Sequence, residues 1–353
     1  MAVFACTGCG AVLTAPVSRV ALPVHAHHRH GHTLLPPLME PGTYAVDQEP
    51  SGPPWLPWSE ARTDEAETRG FFAPVDVLPM GPPGEVVVAP GDSRGTVLIP
   101  ERCDGCCMGL DGRDGPNLAC AQCGQEVATR IDDCSLWQAV RFVPHAVHRH
   151  SAAVPVPCAT GWATPPGQSR GAPPVGPSGA WSPLWEAAAG AALAHLLVVS
   201  AGMSVEVPGG LAAHIFGRSL DALLPKGPPV KRAALAGPGL PAPDSTPDIA
   251  LVPRHPQTGE AWRPPGTSDT VPVEAGVWTR LAFPREGLPV PAAGGMPDGV
   301  FRDDPLPPHP WELFRPDPEV LLHTLARLPA VRQPWLREIY DRVRGNPYGH
   351  PFQ

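Results

Sequence analysis

The chain has 353 residues, 42% of them hydrophobic and 17% charged, which excludes a globally disordered polymer and gives enough length for two cored domains. Its net charge of −8 sits mostly in residues 1–160, with 17 acids against 10 bases, and this argues against nucleic acid or an anionic membrane as partner. No basic segment leading into an apolar run opens the sequence, so no secretory signal is expected; the expected location is the cytoplasm, where nine cysteines serve metal binding rather than disulfides.

Residues 3–20 (VFACTGCGAVLTAPVSRV) read as strand, cysteine turn and strand, and a loop with His25, His27, His28, His30 and His32 follows. Residues 36–84, rich in Pro, Gly, Trp and acids, are expected to form an irregular insertion. Glu85–Ala89 and Thr96–Pro100 flank PGDSRG and predict a β-hairpin. Residues 118–134 again read as strand, turn and strand, and Leu136–Val143 is apolar but of undecided type. The chain has 52 prolines and 37 glycines, and residues 163–179 are especially rich in both, which marks a linker. The arginine-over-lysine, alanine-rich bias of the chain inflates both counts without a structural cause.

Beyond the linker, Ser182-Pro183 is a helix start, followed by Leu184, Trp185, Ala188, Ala192, Leu193, Leu196 and Leu197 at helical spacing. The most apolar stretch of the chain, Leu184–Met203, is broken by Glu186 and His195 and reads as a buried helix rather than a membrane span. A second helix is expected over Gly210–Leu224. Residues 225–310 are punctuated by Pro and Gly, with Val271–Phe283 the clearest strand-like piece. Two helices close the chain, one capped at Asp317-Pro318-Glu319 and one running from Pro334 to Gly345 with Arg337/Asp341 and Glu338/Arg342 as i,i+4 pairs. The fold class expected is α+β. A β domain spans 1–160 with the 36–84 insertion, a Pro/Gly-rich linker 161–180, and a mainly helical domain 181–353.

The chemistry-bearing signal is three C-x-x-C pairs: Cys6/Cys9, Cys103/Cys106 and Cys120/Cys123. A two-residue gap lets one tight turn aim two thiolates at one ion, and structural zinc takes four such tetrahedral ligands. Ala5-Cys6-x-x-Cys9-Gly10 is echoed by Ala119-Cys120-x-x-Cys123-Gly124, with glycine where the chain must leave the turn. At these residues, over roughly 3–20 and 97–134, the chain resembles the zinc-ribbon superfamily. That resemblance implies two knuckles on β-hairpins sharing one zinc.

Several ligand sets are compatible with the spacing. The sequence-local one is Cys103, Cys106, Cys120 and Cys123, with Cys107 interchangeable with Cys106; Cys6 and Cys9 would then draw on His25, His27 or His28, or on Cys134. A swapped arrangement joins Cys6/Cys9 to Cys103/Cys106 and leaves Cys120/Cys123 with Cys134 and His145 or His148. A single zinc with idle cysteines is the third. One or two structural zinc ions follow accordingly.

All-thiolate zinc has no open coordination position and therefore folds a protein rather than catalysing. Asp132, Asp133, His145, His148 and His150 are the one mixed carboxylate–imidazole group suited to a hydrolytic metal, and phosphate-loop, dinucleotide-binding, H-E-x-x-H and G-x-S-x-G motifs are missing. The reading is a non-catalytic zinc-ribbon protein whose helical second domain binds another protein, with Trp55 and Trp58 among prolines as a separate candidate contact. A metal-dependent hydrolase and a nucleic-acid-binding ribbon are the alternatives.

Overall fold

The computed structural model describes residues 1–152 apart from 33, 106 and 108, residues 173–284 apart from 177–178, 242–244 and 267, and residues 310–346 apart from 311. The predicted linker therefore falls largely outside the described residues. The chain divides into two compact units, Met1–Cys158 with Gln257–Gly259, and Ala159–Pro256 with Glu260–Gln353. The fold is α+β, strands dominating the first unit and helices enriched in the second.

The first unit contains β1 (Ala2–Cys6), β2 (Ser18–Arg19), β3 (Thr43–Val46), β4 (Trp55–Pro57), helix α1 (Thr63–Thr68) and β5 (Val77–Pro79). There follow β6 (Val86–Val88), β7 (Thr96–Leu98), β8 (Leu118–Cys120), β9 (Glu126–Ile131), β10 (Ala139–Phe142) and β11 (Val147–Ser151). Seven of these form one sheet in the order β2-β3-β6-β10-β9-β8-β7, while β1 pairs with β11 and β4 with β5. The sheet closes over a core that includes Phe4, Leu13, Tyr44, Val88, Val140 and Phe142, with Phe4 edge-on to Tyr44 at 5.0 Å. Cys6 and Cys120 are members of that core.

The hairpin expected from Glu85–Ala89 and Thr96–Pro100 does not form. Both strands exist, but β6 lies between β3 and β10 and β7 is the far edge of the sheet. Pro90–Asp92 makes a 3-10 turn whose Asp92 is engaged elsewhere: its carboxylate accepts the Gly42 N–H at 2.7 Å and its carbonyl accepts the Ala15 N–H at 2.8 Å. The connection is held against other chain segments instead of folding back on itself. Nor is 36–84 wholly irregular. It supplies β3 to the main sheet and the β4–β5 pair, because Tyr44 and Ala45 bring two buried residues to the edge of β6. The undecided Leu136–Val143 segment is β10, buried along its length at the centre of the sheet.

The second unit runs α2 (Pro183–Ser200), β12 (Ser204–Glu206), a π-helical turn at Ala213–Gly217 leading into α3 (Arg218–Leu223), β13 (Val230–Leu235), β14 (Ile249–Pro253), β15 (Asp269–Val273), α4 (Ala275–Ala282), α5 (Pro318–Ala326) and α6 (Pro334–Arg344). Beside the expected helices stands an all-parallel sheet, β12-β13-β14-β15. The sequence hides it because parallel strands need both faces covered and so lack alternation; β14 (IALVP) is buried throughout. Within Val271–Phe283, β15 ends and α4 begins, with the Glu274 carboxylate accepting the Val277 N–H at 2.9 Å.

α2 is the one helix among the described residues long and apolar enough to cross a membrane, and it is mostly buried inside the protein. It packs on α5 and β15. At Gly190 a side chain would stand 2.5 Å from the Asp317 carbonyl, so glycine permits this approach of helix to helix start. Asp317 caps α5 as the sequence predicts, accepting the Glu319 and Val320 amides, and Arg337 pairs with Asp341 on α6.

Candidate metal centre

Each of two strands ends on a cysteine. β1 runs into Cys6, and the chain turns back so that Ala5 bridges Val12 and Leu13 N–H donates to the Phe4 carbonyl at 2.8 Å. β8 runs into Cys120 and returns as β9. The two turns are hydrogen-bonded alike. Cys6 N–H donates to Ala11 at 2.8 Å and Gly10 N–H to Cys6 at 2.9 Å; Cys120 N–H donates to Gln125 and Gly124 N–H to Cys120, both at 2.8 Å. Gly10 and Gly124 have φ of 75° and 76°, a region costly to any residue with a side chain.

These turns face one another. Cys6 Sγ lies 3.6 Å from Cys123 Sγ, and Cys9 Sγ lies 3.6 Å from Cys120 Sγ, so the first cysteine of each turn meets the second of the other. All four sulfurs fall within 4.8 Å of one another. A disulfide would need about 2.05 Å. Four sulfurs each about 2.3 Å from a central zinc would stand about 3.8 Å apart, close to the observed separation. The first cysteine of each turn is buried in the core, whereas Cys9 is half-buried and Cys123 exposed, so the centre sits at the rim of the domain.

The protons of this group are unevenly held. Burial pushes the Cys6 thiol up. The Ala11 amide draws Cys9 down, but burial and the neighbouring thiols outweigh it and push the group up to about 12. Burial also raises Cys120, yet amide hydrogen bonds from Cys123 and Gln122, with the thiols of Cys9 and Cys123, bring it down to about 7. Gln125, which the sequence reading passed over, lies against the group: its Oε1 accepts the Cys6 thiol at 3.4 Å and its Nε2 donates to Thr7 Oγ1 at 3.2 Å. A metal-bound thiolate only accepts, so the amide would then turn its NH2 to the sulfur.

No family model, curated protein or solved structure matches the chain.

The local and the swapped ligand sets both fail to join Cys6/Cys9 to Cys120/Cys123, whereas a single zinc with idle cysteines, which named no four, is compatible with this group. Cys103 stands outside the group, its thiol donating to the Ile99 carbonyl at 3.3 Å, and Cys106 lies outside the described residues. β7 is antiparallel to β8, with Thr96 opposite Cys120 and Leu98 opposite Leu118, so Cys103 emerges at the end of the sheet where β8 begins, away from Cys120. The first turn reaches the second because Thr14 bridges Ser93 and Arg94 N–H donates to the Leu13 carbonyl at 2.8 Å, just before β7 starts.

His25 and His28 are not in the sulfur group. His25 is buried with its ring tilted against Trp137 at 4.2 Å between centroids, and His28 N–H closes a turn onto the His25 carbonyl. This loop is tied to the sheet by Arg141 of β10, whose guanidinium donates to the Asp47 carboxylate at 2.7 Å, the Glu85 carboxylate at 3.2 Å and the Ala26 carbonyl at 2.9 Å. His27 Nε2 sits 3.1 Å from the same Asp47 carboxylate. Burial raises Asp47, but His27 and Arg141 together outweigh it and hold the carboxyl at about 2.

Asp132, Asp133, His145, His148 and His150 do not converge on one point. Asp132 pairs with Arg130 at 3.0 Å, His145 lies on a 3-10 turn where its carbonyl accepts Thr7 Oγ1, and His148 stacks edge-on to His150 at 4.4 Å on β11. Asp133 is buried and turned to backbone amides. Cys107 and Cys134 do meet, with His32, at the other end of β9.

Proposed function

We propose that the protein is a non-catalytic structural-zinc protein of the zinc-ribbon kind, in which Cys6, Cys9, Cys120 and Cys123 hold one zinc ion. The observation that carries this reading is the crossed pair of 3.6 Å sulfur contacts between two turns of matching hydrogen bonds. Four thiolates favour zinc among common divalent ions, and they fill its coordination shell, leaving no place for a reacting water. The ion would tie the β1 hairpin to the β8–β9 hairpin. Thiolates kept for metal fit a reducing compartment and hence a cytoplasmic location.

The partner proposed is another protein. Support comes from β7, which among the described residues is an edge strand with one side of its backbone unpaired by another strand, and whose Val97 and Leu98 are exposed, with exposed Val12 nearby. Trp55 is also exposed, although its indole N–H donates to the Arg113 carbonyl at 3.3 Å. The acidic balance of the first unit remains unfavourable to nucleic acid.

The test is metal analysis of full-length protein purified without a histidine tag, followed by cobalt substitution. Tetrathiolate cobalt absorption that disappears in Cys9→Ser and in Cys123→Ser supports the reading. Protein that stays fully folded and metal-free after zinc is offered ends it.

A further inference from the structure

We propose that His32, Cys107 and Cys134 form a second divalent-metal site of zinc type, separate from the four-sulfur centre and with its fourth position facing solvent. The donor atoms of the three residues lie within 4.8 Å of one another, and Cys134 Sγ is 3.7 Å from His32 Nδ1. Zinc ligands at about 2.3 Å for sulfur and about 2.0 Å for nitrogen place neighbouring donors roughly 3.5 Å apart, so little movement is needed to close on an ion.

Three chain segments that are distant in sequence are held together here by groups other than the donors. The buried carboxylate of Asp133 accepts the Cys107 N–H at 3.2 Å with one oxygen and the Cys134 N–H at 2.7 Å with the other, fixing both cysteine backbones to one side chain. His30 N–H donates to the Ser135 carbonyl at 3.0 Å, and Ser135 Oγ donates to the Gly31 carbonyl at 2.6 Å, which carries His32 onto the same spot. Ser135 adopts φ of 66°, an unfavourable backbone for a residue with a side chain, while engaged in both of these hydrogen bonds. Outer hydrogen bonds of this kind orient metal ligands.

The site is remote from the first. Cys123 leads into β9 and Cys134 follows its end, and the six residues of that strand span about 20 Å. His32 and Cys107 are exposed and Cys134 is half-buried, so an ion here meets solvent. Two thiolates and one imidazole are a zinc ligand set that leaves the fourth place to water. The ion would exchange more readily than one enclosed by four sulfurs.

The experiment uses the untagged full-length protein loaded with zinc or cobalt after chelation, with ions per chain counted and the cobalt spectrum recorded. Two ions are expected, falling to one in Cys107→Ser, Cys134→Ser and His32→Ala, each variant retaining the four-sulfur cobalt spectrum as evidence that the unit is folded. A mild chelator should remove the second ion first. One ion in the unaltered protein with the four-sulfur spectrum intact overturns this site and leaves the first; two ions retained in all three variants overturns the ligand assignment.

Discussion

Gly10 and Gly124, 114 positions apart, occupy the same place in two copies of one turn: φ is 75° and 76°, and each amide donates to the carbonyl of the first cysteine, at 2.9 Å and 2.8 Å. Apart from the glycine and its chain neighbours, no heavy atom of the described residues lies within 4 Å of where a β-carbon would stand on either residue. Alanine at these positions meets no clash, and its cost is that of the left-handed backbone alone, about 1–2 kcal/mol. Gly10→Ala and Gly124→Ala should therefore destabilise the metal-loaded protein by similar amounts in urea titration. A neutral result at either would mean that the turn does not keep this conformation.

Serine at Cys6, Cys9, Cys120 or Cys123 should release the ion of the four-sulfur centre and unfold the first unit, because apparent zinc-binding energies of ~10–16 kcal/mol rival the whole stability of a domain. Cys103→Ser should retain that ion, since its sulfur is bound to the Ile99 carbonyl and not to the group. Metal content and thermal unfolding measured side by side separate the two classes.

Asp47 and Arg141 form a buried ion pair at 2.7 Å that anchors the histidine loop. Leaving either charge alone costs roughly 3–5 kcal/mol, so Asp47→Asn or Arg141→Met should lower the melting temperature sharply. The folded carboxyl is held at about 2, below its ordinary 3.8. Its contribution is therefore complete above pH 4 and is lost as pH falls through 2, worth about 2 kcal/mol. Acid denaturation of Asp47→Asn should lack that component.

His195 on α2 shows the same sign of linkage as Asp47, at milder pH. Burial, with the nearby charge of Arg254 adding to it, lowers its pKa from 6.5 to about 4. The unfolded chain takes up this proton first, so the second unit should lose about 3 kcal/mol between pH 6.5 and 4 and gain nothing from further alkalinity. His195→Gln should flatten that part of the stability profile. An unchanged slope would show that the histidine is not enclosed.

Helix starts and cysteine turns were legible because their signals are local. Ser182-Pro183, Asp317-Pro318 and Pro334 mark α2, α5 and α6, and C-x-x-C-Gly marks both turns within six residues. The parallel sheet was obscured, since buried strands such as β14 carry no alternation and Pro253 and Pro272 read as breakers. Gln125 gave no signal at all, and Asp133 read as a metal ligand where the fold turns it to the Cys107 and Cys134 amides, for an amide or carboxylate that supports a neighbouring ligand has no mark of that role in a linear chain.

The amino-acid order marked each cysteine turn, because hydrogen bonds spanning four or five residues and one left-handed glycine close it locally. Which turns share an ion was a tertiary decision. Antiparallel β7 and β8 carry Cys103 to the opposite end of the sheet from Cys120, and the Thr14–Ser93 bridge brings Cys6 and Cys9 to the near end. Strand direction outweighed proximity along the chain, since ligands must converge in space and a paired strand moves its two ends several residue lengths apart.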